Sequence, residues 1–341
     1  MTEELTIGVV CTSTKENEKR VPIHPDHFLL IEEPIRKKMY IEEGYGERFN
    51  VSDDTLKNLF AGVLSREELF RQCKVILITK PTIDDASLFQ EGQTIWGWIH
   101  CLQGKAITDV ALEKKLTYIT WESMNIWEKD KIWKSHIFQK NNEIAGYAGV
   151  LHALQLQGIT GQYGKKMKAA IIGKGAVAKG AECALRGMDI NEITIFKEAN
   201  NDMAEVLSEY DLIINAIFQD SDNPLIYIRN SQIGLLKKGS IIIDISCDEK
   251  MGFEFAKPTT FDSPTFQVGD GITYYSVDHT PSYFWNSASY EISSALIPFL
   301  KTILDGKNSW QNNSVIKNAI EIEDGIIKNP KILTFQKNRP A

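Results

Sequence analysis

Long apolar runs are missing from this chain of 341 residues. No stretch reaches the roughly 18 apolar residues that a membrane-spanning helix needs. Positive charge is in deficit, with 38 Lys and Arg against 45 Asp and Glu and a net charge of −7. That balance favours neither nucleic acid nor an anionic membrane surface as a partner. Cysteine is sparse: Cys11, Cys73, Cys101, Cys183 and Cys247 are odd in number and widely spread. They outline no disulfide framework and no metal-ligand cluster, and no metal site is expected. Reduced, buried thiols are the expectation for those in apolar strand-like runs. Internal repeats and low-complexity segments are also lacking. The acidic start, Met1 to Leu5, leads straight into a strand, so no secretory signal and a cytosolic location are expected.

What is present is a globular composition, 43% hydrophobic and 24% charged, in a chain long enough for two domains. Short apolar strands are expected at Leu5–Cys11, Lys74–Thr79, Gln93–Ile99 and Tyr118–Trp121. Three of them end on Lys80, His100 and Glu122. Titratable residues at the ends of parallel strands suggest a site along one sheet edge. Asn141–Gln157 has apolar residues at helical spacing (Ile144, Tyr147, Leu151, Leu154). His152 on that helix, and His24 and His27 beside Pro25, read as packing, capping or surface residues. A helix over Tyr290–Leu304 is expected to be followed by an Asn-rich turn, another short helix and a polar, mobile tail.

The strongest local signal is Gly173-Lys174-Gly175-Ala176-Val177-Ala178, which follows a strand (Lys168–Ile172) and opens a helix. This G-x-G-x-x-A pattern is a dinucleotide fingerprint in that context. The first glycine permits a tight turn, the second lets the backbone approach a pyrophosphate, and the small third residue lets helix and strand pack closely. Strands at Glu192–Phe196, Asp211–Ile217 and Ser240–Ile245 continue the sheet. An NAD site carries an acid at the end of the second strand. Lys197 stands about there, which favours a 2′-phosphate and hence NADP(H), while Glu198 one residue on favours the opposite. The acidic stretch from Asp244 through Asp248, Glu249 and Glu254 lies where a ligand crevice is expected.

Several stretches together resemble the superfamily of alanine dehydrogenases, transhydrogenase amino-terminal domains and lysine-forming saccharopine dehydrogenases. They are Glu18-Lys-Arg20-Val-Pro22, Thr79-Lys80-Pro81, Ile99-His100, Trp121-Glu122, Glu143-Ile-Ala-Gly146 and Pro258-Thr-Thr-Phe-Asp-Ser-Pro264. Two further runs, Asp244-Ile-Ser-Cys-Asp-Glu249 and Val277-Asp278-His279-Thr280-Pro281-Ser282, look most like the N5-(carboxyethyl)ornithine synthase group. The resemblance implies an α/β protein of two Rossmann-like, doubly wound domains with a cleft between them. A discontinuous substrate domain (1–140, with 283–341 returning) would flank an NADP-binding domain (141–282).

It also implies a cytoplasmic, homo-oligomeric oxidoreductase that uses NADPH to join pyruvate to the side-chain amine of L-ornithine or L-lysine. Arg20 and Lys80 would bind the 2-oxo acid, the arginine through its planar fork. His100 would exchange protons, as carbinolamine formation and dehydration require near neutral pH. Asp248 matches the acid placed near the nicotinamide, and Glu122, Asp278 and His279 are candidates for holding the second substrate. Asn215, Ile217, Ser246 and Cys247 would join the glycine loop in holding the cofactor. The rival enzymatic readings are an alanine or saccharopine dehydrogenase; a rival of another class is a non-catalytic dinucleotide-binding module.

Overall fold

The computed structural model describes residues 5–128, 133–199, 203–217, 219 and 224–338. It divides into two compact units, one of Met1–Phe138 with Trp285–Ala341, the other of Gln139–Phe284.

The first unit is built on six parallel strands: Ile7–Val9, Met39–Glu42, Gly62–Leu64, Val75–Leu77, Thr94–Gly97 and Thr117–Thr120. Numbered in chain order they lie 3-2-1-4-5-6 across the sheet, the order of a dinucleotide fold. The direction of winding reverses between Ile7–Val9 and Val75–Leu77, and loops at their carboxyl ends open there. Alternate residues of the strands serve opposite faces, as a period of two requires. Leu77, Trp96 and Ile119 pack on one side with Ile292, Leu296, Leu300 and Ile303 of the Trp285–Leu304 helix. Ile76, Ile95 and Tyr118 pack on the other with Leu69, Phe70 and Ile332. With both faces covered, the strands read as continuous apolar runs.

The carboxyl-terminal segment completes this sheet. Ile320–Glu323 pairs antiparallel with Thr117–Thr120 and then with Ile326–Ile327. The tail expected to be polar instead forms a helix, Pro330–Asn338, with Ile332 wholly buried. Ile332 and Phe335 dock it, and Gln336 Nε2 donates to the Cys101 carbonyl at 2.9 Å. Trp96, Trp98 and Trp121 are core residues, whereas Trp127 and Trp133 are exposed on an Asn125–Trp127/Trp133–His136 hairpin.

In the second unit the parallel strands Lys168–Ile172, Glu192–Phe196, Leu212–Asn215, Ile241–Asp244 and Ile272–Tyr275 lie in the order 2-1-3-4-5. Thr265–Val268 adds an antiparallel edge. The sequence alone predicts Ser240–Ile245 as the last strand of this sheet. The two further strands form a hairpin turned by Gly269-Asp270-Gly271, both glycines having positive φ. Both units are therefore Rossmann-like, as expected.

Candidate functional site

In the second unit the glycine loop follows its strand directly. Gly173 has φ +121°, and a Cβ there would lie 2.8 Å from the Ala216 carbonyl oxygen, so only glycine fits the turn. Gly175 is the N-cap of the Ala176–Gly187 helix, has no side chain to cap it, and a Cβ there would meet nothing within 4 Å among the described residues. Bare amide groups at a helix start, with room above them, are what a pyrophosphate needs. Ala178 is buried against the sheet, while Lys174 is exposed. Two further glycines, Gly146 and Gly180, serve this loop from behind. A Cβ on Gly180 would sit 1.7 Å from the Glu143 carbonyl oxygen, and one on Gly146 would sit 1.9 Å from that of Val177. Both glycines let the Gln139–Leu156 helix press backbone to backbone on the helix that follows the glycine loop.

Neighbouring strand ends complete this edge. Asp244 is fully buried and gathers its surroundings: Asn215 Nδ2 donates to Oδ1 at 2.9 Å, and Ser246 N donates to the same atom at 3.2 Å. The Tyr274 hydroxyl donates to Oδ2. Burial raises the Asp244 carboxyl from 3.8 to about 6 despite these donors. Ser246 Oγ donates to the Ile217 carbonyl at 2.5 Å, and the Cys247 thiol to the Asp244 carbonyl at 3.3 Å. Asn215, Ile217, Ser246 and Cys247 are thus stitched together, and Asp244 is the knot. Asp248 lies half-buried in the same loop, whereas Glu254 is exposed and accepts from Asn230 N. The His279 ring is buried with Nδ1 3.4 Å from Asp278 Oδ2, and it packs 4.8 Å from Phe261. His152 binds the Tyr275 hydroxyl at 3.0 Å, a packing role as expected. Lys197 and Glu198 are both exposed, and neither makes an ion pair among the described residues.

In the first unit Arg20, Lys80, His100 and Glu122 follow the carboxyl ends of the first, fourth, fifth and sixth strands. Arg20 is buried; its Nε and Nη2 donate to Glu18 at 2.8 and 2.5 Å, and its guanidinium lies 4.7 Å over the Trp98 ring. The fork expected to grip a substrate carboxylate is turned onto a protein carboxylate. Thr79 Oγ1 donates to the Arg20 carbonyl at 3.1 Å, which joins the Arg20 and Lys80 loops. Asp85, fully buried, accepts from Thr14 N, Thr82 N and Arg66 Nη2, and Arg66 also reaches Glu42. This ionic knot shapes the loops at the reversal point.

His100 and Glu122 form a pair. Glu122 Oε1 accepts the His100 main-chain N–H at 2.7 Å and lies 3.2 Å from His100 Nδ1. Its Oε2 is buried with no hydrogen-bond partner among the described residues. Burial raises the Glu122 carboxyl from 4.5 to about 8, aided by the Glu321 charge and opposed by Lys80. A buried, unpaired oxygen is tolerated far better on a neutral carboxyl than on a carboxylate. His100 has φ +52°, a left-handed conformation that Cys247 (+58°) and His279 (+46°) also adopt. Such backbone costs energy in residues other than glycine and concentrates at working sites. Cys101 is no nucleophile: burial and then Glu321 push its thiol far above the ordinary range.

His24 caps the Pro25–Leu30 turn by accepting from Asp26 N, and His27 is held by Ser293. Trp285 lies edge-on to Phe49 at 5.2 Å. Sequence reasoning missed Glu18 as the partner of Arg20, Tyr274 as the partner of Asp244, and Glu321 altogether. Glu18 was legible as an acid two residues before the arginine; the other two depend on distant strands.

Residues 8–145 match the family described as alanine dehydrogenase/PNT, N-terminal domain, and residues 158–330 match its C-terminal domain. An N(5)-(carboxyethyl)ornithine synthase of Clostridium botulinum is 32% identical over 82% of this chain and 89% of its own length. One of Lactococcus lactis is 32% identical over 86% of this chain and 94% of its own. An alanine dehydrogenase of Mycolicibacterium smegmatis is 23% identical over 92% of both. Among solved structures, an L-alanine dehydrogenase superposes with TM-score 0.80 at 19% identity, covering 98% of this chain and 99% of its own. A transhydrogenase from Sinorhizobium meliloti gives 0.70 at 16% identity, covering 95% of this chain and 99% of its own. These likenesses agree with the two Rossmann-like units, and the open glycine loop fits the nicotinamide dinucleotide of such oxidoreductases. The chain belongs to the alanine dehydrogenase/PNT family and, within it, to the N(5)-(carboxyethyl)ornithine synthase group.

Proposed function

We propose that this oxidoreductase uses NADPH to condense pyruvate with the side-chain amine of L-ornithine or L-lysine, giving an N-(1-carboxyethyl) amino acid. The observation that carries the reading is the His100–Glu122 pair, with Lys80 close enough for its charge to act on Glu122. A proton-exchanging pair beside a cation suits a reaction that adds an amine to a ketone and then expels water. The printed names of the Clostridium and Lactococcus relatives support the same chemistry.

In this scheme Lys80 and Arg20 supply positive charge for the oxo-acid carboxylate, Arg20 being held in place by Glu18 and Trp98. The amine nitrogen attacks the ketone carbon, and the ketone oxygen takes a proton from His100. Protonated near neutral pH, Glu122 keeps the His100 ring in place through Oε1. We assign proton exchange with substrate to His100 Nε2. The nitrogen returns a proton to the now neutral His100 Nε2, and the same proton passed on to the hydroxyl lets it leave as water. A bound NADPH supplies the hydride that reduces the resulting carbon–nitrogen double bond. Asp278, His279 and Asp248 belong to the amino-acid and nicotinamide side of the reaction. Lys197 favours the 2′-phosphate of NADPH.

The test is NADPH oxidation with pyruvate and, separately, ornithine, lysine or ammonia, with the product identified by mass. Turnover with ornithine or lysine is expected; turnover with ammonia alone overturns the reading. A His100→Ala variant should bind NADPH normally and not turn over.

A further inference from the structure

We propose that Glu321, on the strand that returns from the carboxyl-terminal segment, is a positioning residue for the His100–Glu122 pair. The inference rests on the reading above for its catalytic meaning, but its geometry stands alone. Glu321 Oε2 accepts the Cys101 thiol at 2.8 Å, and Oε1 accepts the Ser123 hydroxyl at 2.5 Å. Cys101 directly follows His100, and Ser123 directly follows Glu122. One carboxyl group therefore buckles the two site loops together, each at the residue next to its working side chain.

The sheet is bent to allow this. Ile320 pairs with Ile119 and Ile322 with Tyr118, so Glu321 is the extra residue at a break in register. Such bulges re-aim a side chain and recur beside active sites. Alternation alone would make Glu321 in Ile320-Glu-Ile-Glu323 a solvent-facing residue, yet it is 8% exposed. A buried acid placed near a second acid is a poor choice for stability, because like charges in a shared site oppose each other's ionisation. The position makes sense if the charge serves the pair. Both Glu321 oxygens accept from neutral donors, the pattern of a carboxylate.

The groups that face Glu122 are Lys80 from the fourth strand's end, His100 and Cys101 from the fifth, and Glu321 from the returning strand; His136 on the hairpin contacts its main-chain carbonyl. Lys80 favours the ionised form of Glu122 and Glu321 the protonated one. Glu321 thus sets both the spacing of the pair and the pH at which Glu122 loses its proton.

The test is Glu321→Gln, which keeps the shape and removes the charge. Ring signals of the six histidines, with His100 assigned by its absence in His100→Gln, report the Glu122 titration in 15N-histidine-labelled protein. In E321Q that titration should move down by roughly one pH unit, with kcat reduced several-fold and the KM for pyruvate little changed. Superimposable titrations overturn the proposal. Ser123→Ala removes one donor and leaves the charge, so it should lower kcat without moving the titration; unchanged kcat there also overturns it. If the unmodified protein turns over no amine, the functional reading falls, and the histidine titration still decides the role of Glu321.

Discussion

Replacing Asp244 by Asn should flatten the pH dependence of stability in the nucleotide-binding unit. Asp244 is wholly buried, and its carboxyl rises from 3.8 to about 6. The gap of about 2, at roughly 1.4 kcal/mol each, amounts to on the order of 3 kcal/mol. Below about pH 4 the group is protonated folded and unfolded, so nothing is lost. As pH rises through 6, the folded protein must hold a buried carboxylate that the unfolded chain keeps in water, and that stability disappears. About half of it, ~1.5 kcal/mol, falls between pH 5 and pH 8. Urea unfolding at those two pH values measures it. All seven tryptophans (96, 98, 121, 127, 133, 285 and 310) lie in the other unit. Tryptophan fluorescence therefore follows that unit, and far-UV circular dichroism follows both. In Asp244→Asn the pH-dependent loss should shrink in the dichroism by the Asp244 share of ~1.5 kcal/mol and persist unchanged in the fluorescence, where Glu122 contributes a loss of the same sign. Equal pH dependence of the dichroic transition with and without the substitution refutes the assignment of Asp244 as a strained, buried knot.

Gly180→Ala should destabilise the protein by about 1–3 kcal/mol and weaken dinucleotide binding. Its Cβ cannot share 1.7 Å with the Glu143 carbonyl without moving the phosphate-facing helix; thermal melts and NADPH fluorescence titrations check both effects. Lys197→Asp should move binding preference from NADPH toward NADH, read from the ratio of dissociation constants; an unmoved ratio rejects Lys197 as the 2′-phosphate contact. Asp85→Ala should cost about 3–5 kcal/mol, because it strips the half-buried Arg66 of one of its two carboxylates, leaving Glu42 and the Thr12 carbonyl, and frees the Thr14 and Thr82 amides. Denaturant titration measures the loss, and a cost below 1 kcal/mol would mean that the loops at the reversal point hold without it.

The parts of the site visible in the sequence were those that one short segment encodes. The glycine loop needs only a strand, a turn and a helix start in succession, so Gly173 and Gly175 could be placed from residue order. Lys80, His100 and Glu122 could be placed because parallel strands all end at the same edge, whichever order they take in the sheet. Gly62–Leu64, a strand of three residues, was not recognised, although the equally short Ile7–Val9 and Val75–Leu77 were. The Thr265–Val268 and Ile272–Tyr275 hairpin was passed over although Gly-Asp-Gly marks its turn. Arg20 was found, but its fork faces Glu18, a pairing that depends on how the Glu18–Arg20 loop folds back on itself.

Local order in the chain determined the two-fold repetition of strand and helix, the glycine turn and the identity of the residues at the strand ends. It did so because backbone geometry and apolar periodicity act over a few residues at a time. The chemical state of those residues was decided by tertiary structure alone. Glu122 keeps its proton to about pH 8 because burial strips its water and because Glu321 stands nearby. The Glu321 contact to Ser123 spans 198 residues of sequence. Desolvation and charge act through space, and no local pattern carries them.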